Sequence, residues 1–323
     1  MANTKKSKLK VELHPRNKFN EAYDYKALIK SCPELAAFVK LNEKQQETID
    51  YFNPKAVKML NKALLKHTYG ITHWDIPTNY LCPPIPGRSD YIHYVADILA
   101  DANNGQIPVG NQIKVLDIGT GANVIYPIIG HREYNWSFVG TEIDNIAINS
   151  AKSIVSTNKN LKDKIDIRKQ SNAKDYFASI VHKNEYFDLS ICNPPFYMSL
   201  EEAHGMSKRK VEHLKKDSTT ETVMNFGGQK NELWCEGGEA RFIERMILQS
   251  KKWEKQIFWF STLVAKENHL KRPYELLQKL EATQVKTITM NQGNKISRIL
   301  AWTFFNQEEA TKWAKEKWSN KLK

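Results

Sequence analysis

Short apolar runs alternate with amphipathic segments through the second half of the chain. The runs are rich in β-branched and aromatic residues, as buried strands are, whereas the segments between them repeat apolar residues at helical spacing. Strands are predicted at Ile113–Ile118, Ser137–Ile143, Ile165–Lys169, Tyr186–Cys192, Gln256–Leu263, Val285–Met290 and Ile299–Phe305. Helices are predicted near Val124, at Asn145–Asn158, up to about His182, at Glu239–Lys252 and at Leu270–Ala282.

This alternation predicts an α/β fold. Apolar strands that are joined by helices form a mainly parallel sheet covered on both faces. The last two strands are joined by a short segment that contains Gly293, so we expect an antiparallel pair at the carboxyl end. A long interruption, residues 197–236, separates the fourth strand from the next helix. Its length favours a mobile lid over a site, and disorder without function is the alternative.

The first third of the chain follows a different pattern. Residues 1–12 are rich in lysine and lack apolar periodicity, which predicts a disordered basic tail. Apolar residues recur at helical spacing from about Asp24 to Lys66 and again from Asp90 to Asp101, with a proline-rich loop between them. The expected organisation is a mostly helical N-terminal module at 13–110, an α/β domain at 111–306 and a basic helix or tail at 307–323.

Composition narrows the class of protein. With 41% apolar and 26% charged residues, the 323-residue chain is typical of a globular protein. No run approaches the roughly 20 apolar residues of a membrane span, and the start lacks the apolar core of a signal peptide, so we expect a cytoplasmic protein. The four cysteines are far apart and form no Cys-x-x-Cys pair. They are expected to be reduced thiols, with neither a disulfide framework nor a metal site.

The charge of the chain indicates a polyanionic partner. There are 48 lysines and arginines against 36 acidic residues, with basic clusters in residues 1–30, around residue 209 and in the tail. A basic surface binds phosphates through counterion release, and tyrosine and tryptophan side chains can stack on bases. Nucleic acid is therefore the favoured partner, while solvated surface charge is the alternative for each single cluster. The candidate contacts are Arg16, Lys18, Lys208, Arg209 and Lys210.

Polar residues follow three of the predicted strands, at the edge of the sheet where open α/β folds bind their ligands. The first strand ends in Asp117 and a loop that contains Gly119 and Gly121. The glycines let the backbone pass close to a ligand, and the carboxylate supplies an acceptor. A dinucleotide-binding loop is the alternative, but Val124 takes the place of its third glycine.

The second and fourth predicted strands end in further candidate ligands. Glu142 can accept both hydroxyls of a ribose, whereas Asp144 is equally well explained as a helix cap. The fourth strand ends in Asn193-Pro194-Pro195-Phe196. Two prolines cannot continue a sheet, so the backbone leaves it in a rigid extended loop. Such a loop holds an amide, a proline carbonyl and an aromatic ring where they can grip a planar group that carries an NH₂.

Together, the glycine-rich turn, the acidic second strand end and this tetrapeptide resemble the pattern of amino-directed methyltransferases that use S-adenosylmethionine. The chain is similar in particular to the bacterial 23S ribosomal RNA adenine-N6 methyltransferase F family, whose eukaryotic relative is methyltransferase-like protein 16. The resemblance runs from about Leu13 to Phe305. The further segments that carry it are Leu13–Asn17, Asp75–Pro77, Gly87–His93, Asp117–Asn123, Ile125–Pro127, Cys235–Glu239 and Ser297–Phe304.

The resemblance implies a Rossmann-like class I methyltransferase domain at 111–306 and an RNA-binding role for the module at 13–110. The implied reaction is methyl transfer to N6 of one adenine, position 1618, of 23S rRNA, free or in a pre-50S particle, by a monomer without a metal. Arg88 suits the methionine carboxylate, although an ordinary arginine at a helix start is the alternative. The candidate residues are Asn193, Pro194, Pro195 and Phe196 for catalysis, and Arg88, Asp117, Gly119, Gly121, Asn123 and Glu142 for the cofactor.

Two other functions fit the same residues. The acceptor geometry also suits a DNA adenine or a protein glutamine, although Phe196, in place of the tyrosine common in glutamine-directed enzymes, favours a nucleobase. An RNA-binding ribosome-assembly factor with a vestigial cofactor site is the alternative from another class. The intact glycine loop and Asn193 count against it.

Overall fold

The N-terminal part of the protein is mainly helical. The computed structural model describes residues 13–195, 235–292 and 295–318, so the predicted tail at 1–12 and nearly all of the predicted lid lie outside the described residues. A short hairpin, β1 (Val39–Leu41) and β2 (Glu47–Ile49), follows the first helices. The helices are α1 (Tyr25–Ser31), α2 (Pro54–Tyr69) and α3 (Ile85–Asp101), with a 3₁₀ helix at Pro33–Phe38.

Two local predictions for this part are wrong. The helical pattern of residues 24–66 is interrupted by the hairpin, whose turn closes because the side-chain oxygen of Asn42 accepts two backbone N–H groups of the turn. Helix α3 begins at Ile85 rather than at Asp90, inside the proline-rich segment. Pro86 lies in the first turn of this helix, where a missing N–H costs no hydrogen bond.

A seven-stranded sheet forms the centre of the protein, with the order β5-β4-β3-β6-β7-β9-β8. Strands β3 to β7 are parallel, and β9 pairs in antiparallel orientation with both β7 and β8. The predicted α/β fold and its carboxyl-terminal antiparallel pair are therefore confirmed. The strands are β3 (Lys114–Ile118), β4 (Ser137–Glu142), β5 (Ile165–Lys169), β6 (Phe187–Cys192), β7 (Ile257–Val264), β8 (Gln284–Gln292) and β9 (Lys295–Thr303).

The helices that cover this sheet begin and end close to the predicted boundaries. They are α4 (Ile125–Tyr134), α5 (Asn145–Thr157), α6 (Gly238–Ser250), α7 (Lys271–Lys279) and α8 (Gln307–Trp313). The helix predicted up to His182 is wrong, because residues 170–182 form turns. There the side-chain oxygen of Asn172 accepts the backbone N–H of Lys174, and Ser179 has a positive φ of 64°. Both features interrupt a helix.

The apolar core lies on the two faces of the sheet. Neighbouring residues of β3 point to opposite faces, so Val115 packs in one cluster and Leu116 in the other. The first cluster continues into the N-terminal helices through Ile92 and Val95 of α3. Helix α3 is thus packed directly against the sheet. Among the described helices, none is both long enough and apolar enough to cross a membrane.

Candidate functional site

A cavity of about 340 Å³ opens where β3, β4 and β6 end. Parallel neighbouring strands bring their carboxyl ends to one edge, which is why three distant sequence segments meet here. Of the ten candidate catalytic and cofactor residues, seven line the cavity: Arg88, Gly119, Gly121, Asn123, Glu142, Asn193 and Pro195. Asp117 and Pro194 are buried beside them, and Phe196 lies outside the described residues.

The loop after β3 turns tightly against this cavity. Gly119 and Gly121 have positive φ values of 73° and 65°, and a Cβ added at Gly119 would meet no atom within 4 Å. Open space beside the Gly119 backbone lets a ligand approach it closely. Val124, at the predicted third-glycine position, itself adopts a positive φ of 54° although it is β-branched and fully buried. Such strain is characteristic of functional loops.

Asn123 is held by the N-terminal part of the chain. Its backbone oxygen accepts a hydrogen bond from the indole nitrogen of Trp74 at 3.0 Å, and its side-chain nitrogen donates to the oxygen of Leu81 at 3.4 Å. The side-chain oxygen accepts the N–H of Ile125 at the start of α4. Asn123 therefore borders the cavity and also fixes the position of the glycine loop.

The Glu142 carboxylate is fixed at the end of β4 by backbone donors. One oxygen accepts the N–H groups of Ile143 and Asp144 at 2.7 and 3.1 Å, and the other accepts that of Gly121 at 3.1 Å. Burial raises the pKa of Glu142, and these three hydrogen bonds oppose the rise. Asp144 instead caps α5 through the N–H groups of Ile146 and Ala147. The sequence favours Glu142 over Asp144 for the ribose, and of these two carboxylates only Glu142 lines the cavity.

Arg88 is a buried cation in the first turn of helix α3. It is 9% exposed, and a guanidinium nitrogen donates to the hydroxyl of Tyr126 at 2.7 Å. Among the described residues it forms no ion pair. A buried arginine that donates to a neutral phenol and forms no ion pair with the described residues suits an anionic ligand group, because an unpaired buried charge is costly.

Asp117 lies beneath the glycine loop. Both of its carboxylate oxygens are buried and accept no hydrogen bond from the described residues. Burial raises the pKa of Asp117 to about 7, the negative charge of Glu142 contributes to the rise, and the Arg88 guanidinium opposes it. A carboxyl group whose charge changes near neutral pH therefore lies behind the residues that line the cavity.

The loop after β6 places Asn193 at the opposite side of the cavity from Glu142's strand. The side-chain oxygen of Asn193 is buried and accepts no hydrogen bond from the described residues. Pro194 is buried and Pro195 half-buried, so the backbone leaves the sheet in a segment that the two rings stiffen. A desolvated acceptor without a partner is expensive, which makes Asn193 a candidate to receive a ligand donor.

Two of the five candidate nucleic-acid contacts lie in the described residues. Arg16 donates to Asp97, to the hydroxyl of Tyr134 and to the oxygen of His93, and Lys18 pairs with Glu133 at 3.0 Å. Both side chains keep substantial exposure, 38% and 47%, so an RNA contact stays a prediction for them. Lys208, Arg209 and Lys210 lie outside the described residues.

The segment around Arg16 is an anchor for α3. The backbone N–H of His14 and the side chain of Asn17 both donate to Asp90. His93 is a buried histidine of α3. One ring nitrogen meets the hydroxyl of Tyr134 at 2.7 Å, and burial lowers the pKa of His93 to about 3.

Five aromatic and basic residues of the cavity were missed from the sequence as site residues: Tyr126, Lys174, Tyr176, Phe242 and Arg245. The rings of Tyr176 and Phe242 lie 4.5 Å apart, and the Tyr176 hydroxyl is buried without a partner among the described residues. Their spacing is that of ordinary core residues, so no sequence signal marked them. Tyr126 belongs to a segment that the resemblance includes, but its contact with Arg88 depends on the fold.

The four cysteines all lie in the described residues. All four are free thiols, and three of them are buried. Burial raises the pKa of Cys192 well above its usual value. Within the described residues, no group of three His, Cys, Asp or Glu side chains could hold a metal ion.

Comparison with known proteins places these features in context. A family model described as "RNA methyltransferase" matches residues 7–306. The chain is 52% identical over 309 residues to the ribosomal RNA large subunit methyltransferase F of Cytophaga hutchinsonii, with 96% of each protein covered. It is 49% identical over 331 residues to the protein of the same name from Photobacterium profundum, with 98% of each covered.

Solved structures of human METTL16 share the fold. The catalytic domain in complex with the MAT2A 3′UTR hairpin 1 has a TM-score of 0.77 at 28% identity, covering 91% of this chain and 96% of that one. The N-terminal domain in complex with SAH has a TM-score of 0.72 at 28% identity, covering 91% and 100%. The similarity therefore includes both the sheet and most of the N-terminal helices.

Proposed function

The chain belongs to the RNA methyltransferase family whose model matches residues 7–306, and from this premise we propose that it methylates N6 of one adenine, position 1618, of 23S rRNA. Its cofactor is S-adenosylmethionine, as expected from the sequence. In the proposed reaction the bond from N6 to the methyl carbon forms while the sulfonium–methyl bond breaks. One N6 proton leaves to solvent, and S-adenosylhomocysteine is the second product.

The cavity residues suit this cofactor group by group. Arg88 is the buried cation for the methionine carboxylate, and the Glu142 oxygen that accepts only the Gly121 N–H retains acceptor capacity toward the ribose hydroxyls. Gly119 leaves open space beside its backbone, and Gly121 holds Glu142 in place through its N–H. Asp117 and Asn123 act behind these contacts, the first as a buried carboxylate and the second by fixing the loop.

Asn193 and Pro194 are proposed to hold the target amine. The Asn193 oxygen accepts one amine hydrogen and the Pro194 carbonyl accepts the other, which orients the nitrogen lone pair toward the cofactor. An exocyclic adenine amine is a weak nucleophile because its lone pair is delocalised into the ring. The rate of methyl transfer is therefore expected to depend strongly on how the amine is oriented. Pro195 stiffens the loop, and Phe196 is proposed to stack on the flipped base.

One observation supports this proposal above the others. The buried oxygen of Asn193, which has no partner among the described residues, shares a single cavity with the Arg88 guanidinium, which forms no ion pair with them, and with the fixed carboxylate of Glu142. The test is transfer of labelled methyl from S-adenosylmethionine to unmethylated 23S rRNA, both naked and in partly assembled particles. The product is mapped by mass spectrometry. We expect N6-methyladenine at one site, with only a small residual rate of its formation left in Asn193→Ala.

A matched control separates the loss of the Asn193 amide from a general effect of an Asn→Ala substitution. Asn103→Ala removes the same type of side chain at a turn outside the cavity lining and should keep full activity. Cofactor affinity is measured for both variants by calorimetry and should stay near the wild-type value. Bound cofactor without labelled RNA would redirect the search to DNA adenine or protein glutamine. Absence of cofactor binding would favour an RNA-binding assembly factor with a vestigial site.

The proposed substrate carries further expectations with it. The protein is proposed to act in the cytoplasm, with ribosomal RNA as its substrate. The N-terminal module at 13–110 and the basic segments are proposed to bind the RNA, and the protein is proposed to act as a monomer on 23S rRNA or a pre-50S particle. Comparing naked RNA with assembled particles in the same assay identifies the form that is methylated.

A further inference from the structure

Helix α3 reaches the catalytic loop through a second residue besides Arg88. Tyr91 follows Arg88 by three positions, so both side chains project from the same face of the helix. Both contact Tyr126: Arg88 through a hydrogen bond of 2.7 Å, and Tyr91 through an edge-to-face ring contact at 5.4 Å. Tyr91 is completely buried, and its hydroxyl points to the end of strand β6.

The Tyr91 hydroxyl is part of a chain of hydrogen bonds with one direction. Ser261 of β7 donates its only hydroxyl proton to the oxygen of Ser190 at 2.9 Å. Tyr91 must therefore be the donor in its 2.9 Å contact with Ser261. The backbone N–H of Cys192 donates to Tyr91 at 3.3 Å. The chain thus begins and ends on the backbone of β6, at Cys192 and Ser190.

This chain of hydrogen bonds lies where strand β6 is no longer paired with β7. The pairing of β6 with β7 ends at Ser190 opposite Phe260, whereas β6 continues to Cys192. From Phe260 onward, β7 pairs with β9 on its other side. The two side-chain hydroxyls replace the missing backbone ladder at the last residues before Asn193.

Asn193 depends on this support, because its own side-chain oxygen has no partner among the described residues. We propose that Tyr91 is a positioning residue for catalysis, which holds Cys192 and thereby aims Asn193 at the target amine. This inference rests on the proposed function. It assigns to Tyr91 an effect on the rate of methyl transfer and none on cofactor affinity, since Arg88 and Glu142 stay in place.

Tyr91→Phe removes only the hydroxyl and keeps the ring packed against Tyr126. We expect kcat to fall about tenfold to a hundredfold, because a small misplacement of a catalytic group is costly, with the Kd for S-adenosylmethionine changed less than about threefold. The matched control is Tyr69→Phe, which removes an equally buried hydroxyl that contacts Ser89 and, among the described residues, forms no hydrogen bond with β6. Its kcat should be unchanged.

A double-mutant cycle tests whether Tyr91 acts through Asn193. In an Asn193→Ala background, Tyr91→Phe should lower the residual rate less than about twofold, because the group that it positions is gone. A full additional loss in that background, or an unchanged kcat in the single variant, would overturn the proposal. A rise in the cofactor Kd that matches the loss of kcat would likewise show a general structural role.

Hydrogen exchange provides a readout that needs no activity. Loss of the Tyr91 hydroxyl should speed exchange of the Cys192 amide about tenfold, while Tyr69→Phe leaves it unchanged. If the wild-type protein methylates no RNA, the proposed function fails, and the exchange comparison still decides whether Tyr91 holds the loop. Unchanged exchange at Cys192 would refute the positioning role in an active or an inactive protein.

Discussion

The buried carboxyl of Asp117 predicts a specific dependence of stability on pH. Its pKa is 3.8 without the fold and about 7 within it, chiefly because burial removes solvent from the charged form. The folded state therefore holds the proton more tightly than the unfolded state. The contribution of this group to stability is fully present below pH 4 and is lost as the pH rises toward 7, above which the difference is constant.

The two pKa values set the size of the effect. Relative to low pH, where the carboxyl is protonated in both states, proton linkage lowers the free energy of unfolding by about 2 kcal/mol at pH 5 and by about 4 kcal/mol at pH 8. Asp117→Asn removes the titration and keeps the size of the side chain. The free energy of unfolding of the wild type should thus fall by roughly 2 to 3 kcal/mol more than that of the variant between these pH values.

Urea unfolding at several pH values between 5 and 8, without cofactor, measures this difference. Asp163→Asn changes the same atoms at an exposed position and controls for the substitution itself. Its stability curve should run parallel to that of the wild type. Parallel curves for Asp117→Asn and the wild type would refute the reasoning, since the buried carboxyl would then not titrate in this range.

Three further results are expected. Arg88→Lys should raise the Kd for S-adenosylmethionine about tenfold or more in calorimetry, because lysine lacks the bidentate fork, and an unchanged Kd would exclude the carboxylate contact. Asp188→Ala should lower the free energy of unfolding by about 3 kcal/mol, because Asp188 accepts the indole N–H groups of Trp313 and Trp318, while KM stays the same. Deleting residues 1–12, with their four lysines, should reduce the slope of log K for RNA against log salt by up to about 3 without changing Tm, and an unchanged slope would remove this segment from the RNA contact.

Much of the fold and of the site could be predicted from sequence, because in a parallel sheet the carboxyl ends of the strands form the edge that binds ligands. Once the strands that end near Ile118, Glu142 and Cys192 are recognised, the topology brings their ends to one edge. The polar residues that follow each strand then meet without knowledge of any side-chain contact. For this reason Glu142 and Asn193 line one cavity, as the strand pattern indicates.

The predictions that failed concern segments in which local backbone and side-chain interactions compete with a regular helix or turn. The spacing of apolar residues gives no information about such interactions. Residues 170–182 carry apolar residues that suit a helix, but the Asn172 side chain captures a backbone N–H and closes a turn instead. Tyr176, inside that segment, therefore lies in the cavity wall rather than on a helix. Similarly, Val124 does not match a glycine pattern, yet it adopts the left-handed conformation that a glycine would supply.

The anchoring of α3 limits how the N-terminal module can be tested for RNA binding. His14 and Asn17 donate to Asp90, which lies between Arg88 and Tyr91 on the helix that serves the cavity. Deleting residues 1–30 would remove both donors and leave a buried carboxylate without them, so a loss of activity would not separate RNA contact from damage to the cofactor site. A truncation that stops at residue 12 keeps this anchor. The N-terminal module is thus a structural part of the site, and point substitutions at exposed lysines such as Lys18 are the informative test of its RNA contacts.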